Sequence, residues 1–165
     1  MLFLMHRLFH QYYQSPIGWL HIQSTDEAIV AIEFCESVTE DEVPHALTQE
    51  ACIQLQAYFA SKRHRFELPI QLRGTTFQQQ VWRQLMQIPY GATISYLTLA
   101  KLMGNTKSIR AVAHANARNP LAIIVPCHRV IGEDGSLVGY AAGIWRKQWL
   151  LEHESSAHQL TLHFS

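Results

Sequence analysis

Residues 95–118 read Ser95-Tyr-Leu-Thr-Leu-Ala-Lys-Leu-Met-Gly-Asn-Thr-Lys-Ser-Ile-Arg-Ala-Val-Ala-His-Ala-Asn-Ala-Arg118, and this stretch decides the architecture of the second half of the chain. Ser95–Met103 predicts a short helix and Gly104-Asn105 a turn. Ser108–Arg118 predicts a second helix, capped by Ser108 and ended by Asn119-Pro120. Two short helices about a glycine-containing turn, the second carrying Arg110 and Arg118, have the form of a helix-turn-helix. The αα-hairpins of ordinary cores share that form. Ala111, Ala113, Ala115 and Ala117 leave the second helix little bulk, which suits close approach either to a flat surface or to a neighbouring helix.

Charge separates these two uses. The 165 residues carry 13 Lys+Arg and 13 Asp+Glu, a formal net charge of zero. A neutral total argues against a nucleic-acid partner, but the charges are unevenly placed. Through Glu67 there are nine acids against four bases, net −5; from Leu68 onward there are nine bases against four acids, net +5. No Asp or Glu lies between Glu67 and Glu133, an interval that holds Arg73, Arg83, Lys101, Lys107, Arg110, Arg118 and Arg129. The second half therefore reads as the side that meets a polyanion.

The chain length fits one compact domain, or a small one beside a medium one. Residues 12–34 read as strands, with Trp19–Ile22 and Ala28–Phe34 separated by a polar turn at Gln23–Glu27. Leu47, Ala51, Leu55 and Phe59 recur every four residues and predict an amphipathic helix over 46–61, with Cys52 a small hydrophobe beside its apolar face. The basic passage Lys62–Gly74 marks a boundary, giving an α/β domain over 1–72 and a mostly helical domain over 73–165, an α+β chain. Phe77, Val81, Leu85 and Ile88 predict a further helix with Thr76 as N-cap, stopped at Pro89-Tyr-Gly91.

The apolar start Met1–Met5 is broken by His6 and Arg7, too short for a signal sequence or a membrane span, so a cytoplasmic protein is expected. Three cysteines without a CxxC pair fit a reducing compartment. The ten histidines, among them His158 and His163, show no metal-ligand spacing, and no metal is expected.

The reactive candidate is Cys127. An apolar run, Leu121–Val125, is broken by Pro126 and followed by Cys127-His128-Arg129. A thiolate is the nucleophilic form of cysteine, and a neighbouring base or positive charge favours it. Adjacent side chains on an extended strand point to opposite faces, so His128 can serve Cys127 only if the chain turns there or a water relays the proton.

The stretch Ile123-Ile-Val-Pro-Cys-His-Arg-Val-Ile-Gly132 resembles the active-site signature of the O6-alkylguanine-DNA alkyltransferase family (methylated-DNA–protein-cysteine methyltransferases). The likeness runs in order through Arg73–Phe77, Val81-Trp82, Ile88–Gly91, Ser95-Tyr96, Arg110–Val112, Asn119-Pro120, Gly139-Tyr140 and Lys147–Glu154. In the first half it is loose, resting on Ser15–Gly18 and the helix before Lys62.

The resemblance implies a DNA-repair protein that takes an alkyl group from O6 of guanine, or O4 of thymine, once and irreversibly. Its implied partner is double-stranded DNA containing O6-alkylguanine; no cofactor, no membrane and a monomer are expected. Cys127 becomes the nucleophile, His128 a base acting through water, Glu154 the carboxylate that orients His128, and Asn119 a hydrogen-bonding member of that network. The target base is flipped out of the stack. Arg110 becomes the finger that fills its place, with Arg118 further along the same DNA-facing helix. Tyr96 contacts a phosphate and the flipped base, and Tyr140 lines the pocket with the backbone at Val130 and Ala141. Ala113, Ala117 and Ala142 stand where glycines are usual in the family, and Trp145 where smaller or polar residues are common, which bears on substrate range. The rivals are a lesion sensor or helix-turn-helix regulator without chemistry, and a Cys–His–Glu hydrolase, which would turn over many substrates.

Overall fold

The computed structural model describes residues 7–39 and 41–163, with side chains through residue 156. The apolar start Met1–Met5, His6 and Glu40 lie outside the described residues, as do the side chains of His158 and His163. The chain forms two compact units that divide between Leu72 and Arg73. No helix among the described residues is long and apolar enough to cross a membrane.

The first unit is an antiparallel meander, β1 (Phe9–Ser15), β2 (Gly18–Ser24) and β3 (Ile29–Cys35), followed by α1 (Ala46–Phe59). Cross-strand pairs such as Leu20↔Phe34 and Ile22↔Ile32 set one face of the sheet as the core. Leu20, Ile22 and Ile32 are fully buried there, together with Ala51, Leu55 and Tyr58 of α1. The polar turn is shorter than expected. Gln23 and Ser24 still pair within the sheet, and Thr25 Oγ1 closes the turn by accepting from the Glu27 and Ala28 amides at 3.1 Å each. The first strand also starts earlier, at Phe9. Burial and the nearby Glu42 push the Cys52 thiol up to about 11, consistent with an unreactive side chain.

The second unit contains α2 (Thr76–Leu85), β4 (Ile94–Ser95), α3 (Tyr96–Leu102), α4 (Ile109–Ala117), β5 (Val130–Ile131) and α5 (Ile144–His163). β4 and β5 pair in parallel. The expected α+β class is the one observed. Two caps differ from expectation. Thr75 rather than Thr76 caps α2, its hydroxyl accepting from Gln78 N at 3.1 Å while Gln78 Oε1 accepts from Thr75 N at 3.0 Å. Ser108 makes no side-chain cap; a 3-10 turn, Thr106–Ser108, precedes α4, and Asn105 caps that turn by accepting from Lys107 N at 2.9 Å.

The helix pair α3–α4 packs on α2 through Val81, Trp82, Leu85, Leu99, Ala100, Val112 and Ala115, all buried. Trp82 donates its indole N–H to the Ala115 carbonyl at 2.8 Å, which anchors the end of α4. On the other side of that ring a Cβ at Gly74 would sit 2.5 Å from Trp82 Cη2. Gly74→Ala should therefore displace the indole and destabilise this unit by about 1–3 kcal/mol, read as a lowered urea midpoint.

Candidate active site

The chain reaches Cys127 through two successive three-residue turns. Ile124 N donates to Ala122 O at 2.8 Å about Ile123, and Cys127 N donates to Val125 O at 2.8 Å about Pro126. Pro126 has φ −83° and ψ 63°, the relaxed hand of this turn. Ile123, buried and β-branched, has φ 72°, the strained hand, which costs on the order of 1–3 kcal/mol. The Asn119 amide spans the segment: its Oδ1 accepts from Leu121 N at 2.9 Å and its Nδ2 donates to Val125 O at 2.7 Å. The apolar run is thus a clamped, bent support rather than a strand.

Cys127–Arg129 then form a single 3-10 turn. At about 120° per residue, three consecutive side chains leave in three directions. This corrects one expectation: the Arg129 guanidinium does not flank the thiol. Its Nε and Nη2 donate to the two oxygens of Glu154 at 2.9 Å each, and its Nη1 donates to Ile88 O at 2.7 Å. His128 Nε2 meets Glu154 Oε1 at 2.7 Å. All three side chains are buried. Because a carboxylate only accepts, Nε2 carries the proton when the ring is neutral, and Nδ1 is left with its lone pair. That Nδ1 is buried and has no hydrogen-bond partner.

Electrostatics set the protonation states. Burial lowers the His128 pKa, and the Arg129 and Lys147 charges add to this against the opposing pull of Glu154, so the imidazole is neutral at rest. Burial alone would raise the Glu154 carboxyl, but His128 and Arg129 override it and hold it well below the usual range. Burial raises the Cys127 thiol, with the Asn119 amide and the Lys147 ammonium pulling the other way. The resting thiol is therefore protonated and needs a base.

A second cluster faces the same sulfur. Lys147 is fully buried without a carboxylate partner among the described residues; its Nζ donates to Val138 O at 3.0 Å and approaches the Tyr96 hydroxyl at 3.4 Å. Burial brings its pKa down to about 8. The Tyr96 hydroxyl donates to Val138 O at 2.8 Å. Tyr140 belongs to the turn closed by Gly143 N donating to Tyr140 O at 2.9 Å, and its buried hydroxyl has no partner. Burial first, and then the nearby Cys127, raise both phenols.

The structure joins His128 and Glu154, with Arg129, in one buried cluster; Cys127, the residue before His128, is buried with Tyr96, Tyr140 and Lys147 close enough to feel the thiolate charge. Asn119 lies beside the thiol, where its amide favours the Cys127 thiolate, and its other bonds run to Leu121 and Val125. Val130 is buried in β5 and Ala141 is exposed on the Tyr140 turn. Arg110 and Arg118 lie on the outer surface of α4, exposed. Two residues escaped sequence reasoning: Lys147, and Asn116, whose Nδ2 donates to Cys127 O at 3.3 Å. The signal for Lys147 was its spacing, three residues before Leu150 and seven before Glu154 on one helix face.

Residues 76–156 match the family described as 6-O-methylguanine DNA methyltransferase, DNA binding domain, and residues 8–72 match the same family's ribonuclease-like domain. The chain is 43% identical over 155 residues to the methylated-DNA–protein-cysteine methyltransferase of Methanosarcina acetivorans, covering 90% of this chain and 99% of that one. The crystal structure of Mycobacterium tuberculosis O6-methylguanine methyltransferase superposes with a TM-score of 0.83 at 42% identity, covering 92% of this chain and 94% of that one. A structure of the Mycobacterium tuberculosis protein in complex with DNA gives 0.83 at 43% identity, covering 90% and 93%.

Proposed function

Since the chain belongs to the 6-O-methylguanine DNA methyltransferase family, we propose that it repairs DNA by moving the alkyl group from O6 of guanine onto its own Cys127, once per molecule. The observation that carries this reading is the buried Cys127 thiol followed directly in the chain by a buried imidazole whose Nδ1 is unpaired and whose Nε2 is fixed by Glu154.

In the proposed step the thiol proton passes through a water to His128 Nδ1, and Glu154 stabilises the imidazolium that results. The sulfur lone pair forms the S–C bond as the C–O6 bond breaks, and that electron pair stays on guanine. Guanine regains one proton, balancing the one the thiol lost. The Tyr96 hydroxyl exchanges its Val138 acceptor for the base, and the nearby Lys147 charge strengthens it as a donor. Tyr140, Val130 and Ala141 line the base pocket. Asn119 acts as a positioning residue that holds the Cys127 approach. The protein is itself the acceptor, so the balance is complete without a cofactor.

The base is reached by flipping, with Arg110 filling the gap and Arg118 on a phosphate. The unit from Arg73 onward carries both the DNA surface and the reactive cysteine; the protein acts as a monomer in the cytoplasm. Incubation with duplex containing O6-methylguanine should add one methyl mass to the Cys127 peptide and stop at one equivalent per protein. An unchanged mass on bound DNA would point to a lesion sensor; continued turnover would point to a hydrolase.

A further inference from the structure

The exposed stripe of α4 is Arg110, Ala111, His114, Ala117 and Arg118, residues three and four apart on one helix face. Arg110 and Arg118 are about 12 Å apart along the axis, and His114 stands midway, one turn from each. Among the described residues, the side chains of Lys107, Arg110, His114 and Arg118 make no hydrogen bond or ion pair with the rest of the protein. The charged groups on α2, α3 and the Thr106–Ser108 turn, which pack against α4, are Arg83, Lys101 and Lys107, all cationic; the Cys127–Arg129 turn, bonded to α4 through Asn116, adds His128 and Arg129, both buried against Glu154. No Asp or Glu occurs on α2, α3, the 3-10 turn or α4. Ala111 and Ala117 flank the histidine, so its ring projects from a face with little else on it.

We propose that His114 is a proton-linked DNA contact, taking up a proton as the α4 stripe seats on the phosphate backbone. The inference rests on the reading of α4 as the DNA-facing helix. Duplex phosphates set against the α4 stripe favour the cationic form of a histidine there, so the complex binds more protons than the free protein. Linkage then requires affinity to rise as pH falls through the imidazole range. An extra cation on the stripe also neutralises one more phosphate, which steepens the salt dependence.

The test is fluorescence anisotropy with a short labelled undamaged duplex at constant ionic strength, comparing about pH 8 with about pH 5.5, which span the histidine range. The wild-type protein should bind roughly fivefold tighter at the lower pH, with a slope of log affinity against log salt steeper by about 0.9. His114→Gln should lose both responses, so that its affinities and its salt slopes at the two pH values converge. If His114→Gln keeps the wild-type response, the inference is overturned. Arg110→Ala and Arg118→Gln separate the two failures. If they weaken binding while His114→Gln keeps the response, only the histidine role falls; if neither weakens binding at either pH, the DNA-facing assignment of α4 falls, and this inference with it.

Discussion

Glu154→Ala should cost the second unit roughly 3–5 kcal/mol, the usual penalty for removing one partner of a buried ion pair. The carboxylate is 1% exposed and accepts from His128 at 2.7 Å and from Arg129 twice at 2.9 Å. Alanine would leave the guanidinium buried with only Ile88 O as acceptor, and His128 Nε2 with none. Glu154→Gln keeps one acceptor oxygen but turns an NH2 toward Arg129, so an intermediate loss is expected. The measurement is urea unfolding, read from the midpoint at unchanged slope. A loss below about 1 kcal/mol would mean that this pair does not fasten α5 to the Cys127 turn. The sign of the pH dependence follows from the depressed carboxyl. Its stabilising contribution is complete above the ordinary Glu pKa of about 4.3 and is lost as pH falls below it.

The other large effect is kinetic. His128→Gln should slow single-turnover alkyl transfer by about 10²–10⁴-fold at neutral pH, the usual contribution of a positioned base. Burial holds the thiol above its ordinary value, so without the base the rate should follow the thiolate fraction and climb about tenfold per pH unit through the neutral range. In the wild-type protein burial lowers the imidazole, so the base is already available at neutral pH and the profile there should be much flatter. Retention of the glutamine amide as a donor to Glu154 keeps the fold as a control, checked by circular dichroism. A variant with the wild-type rate and a flat profile would remove His128 from the mechanism.

Some of this was legible in the chain and some was not. The helix pair over 95–118 followed from turn residues and period, because Gly104-Asn105 and Asn119-Pro120 punctuate strongly. The position of Ser108 did not, because a 3-10 turn can replace a side-chain cap and satisfy the same amides. The helix α5 carries no plain apolar stripe: two of its inward residues, Lys147 and Glu154, are charged, so periodicity passes over it. Cys127, His128 and Glu154 were reached through the resemblance of their surroundings to a family. From the residues alone, Cys127-His128 remained an adjacent pair whose geometry depended on an unseen turn.

The sequence by itself determined the division of charge and the pair of short helices about Gly104-Asn105, because these rest on residue types and local spacing. Tertiary structure alone decided which cation serves which group. Arg129, next in the chain to the reactive pair, turns to Glu154, while Lys147, twenty residues beyond the cysteine, supplies the positive field at the thiol. The physical reason is that a 3-10 turn fans consecutive side chains apart. In a buried site, each charge goes to the partner that offsets its desolvation, however distant in sequence.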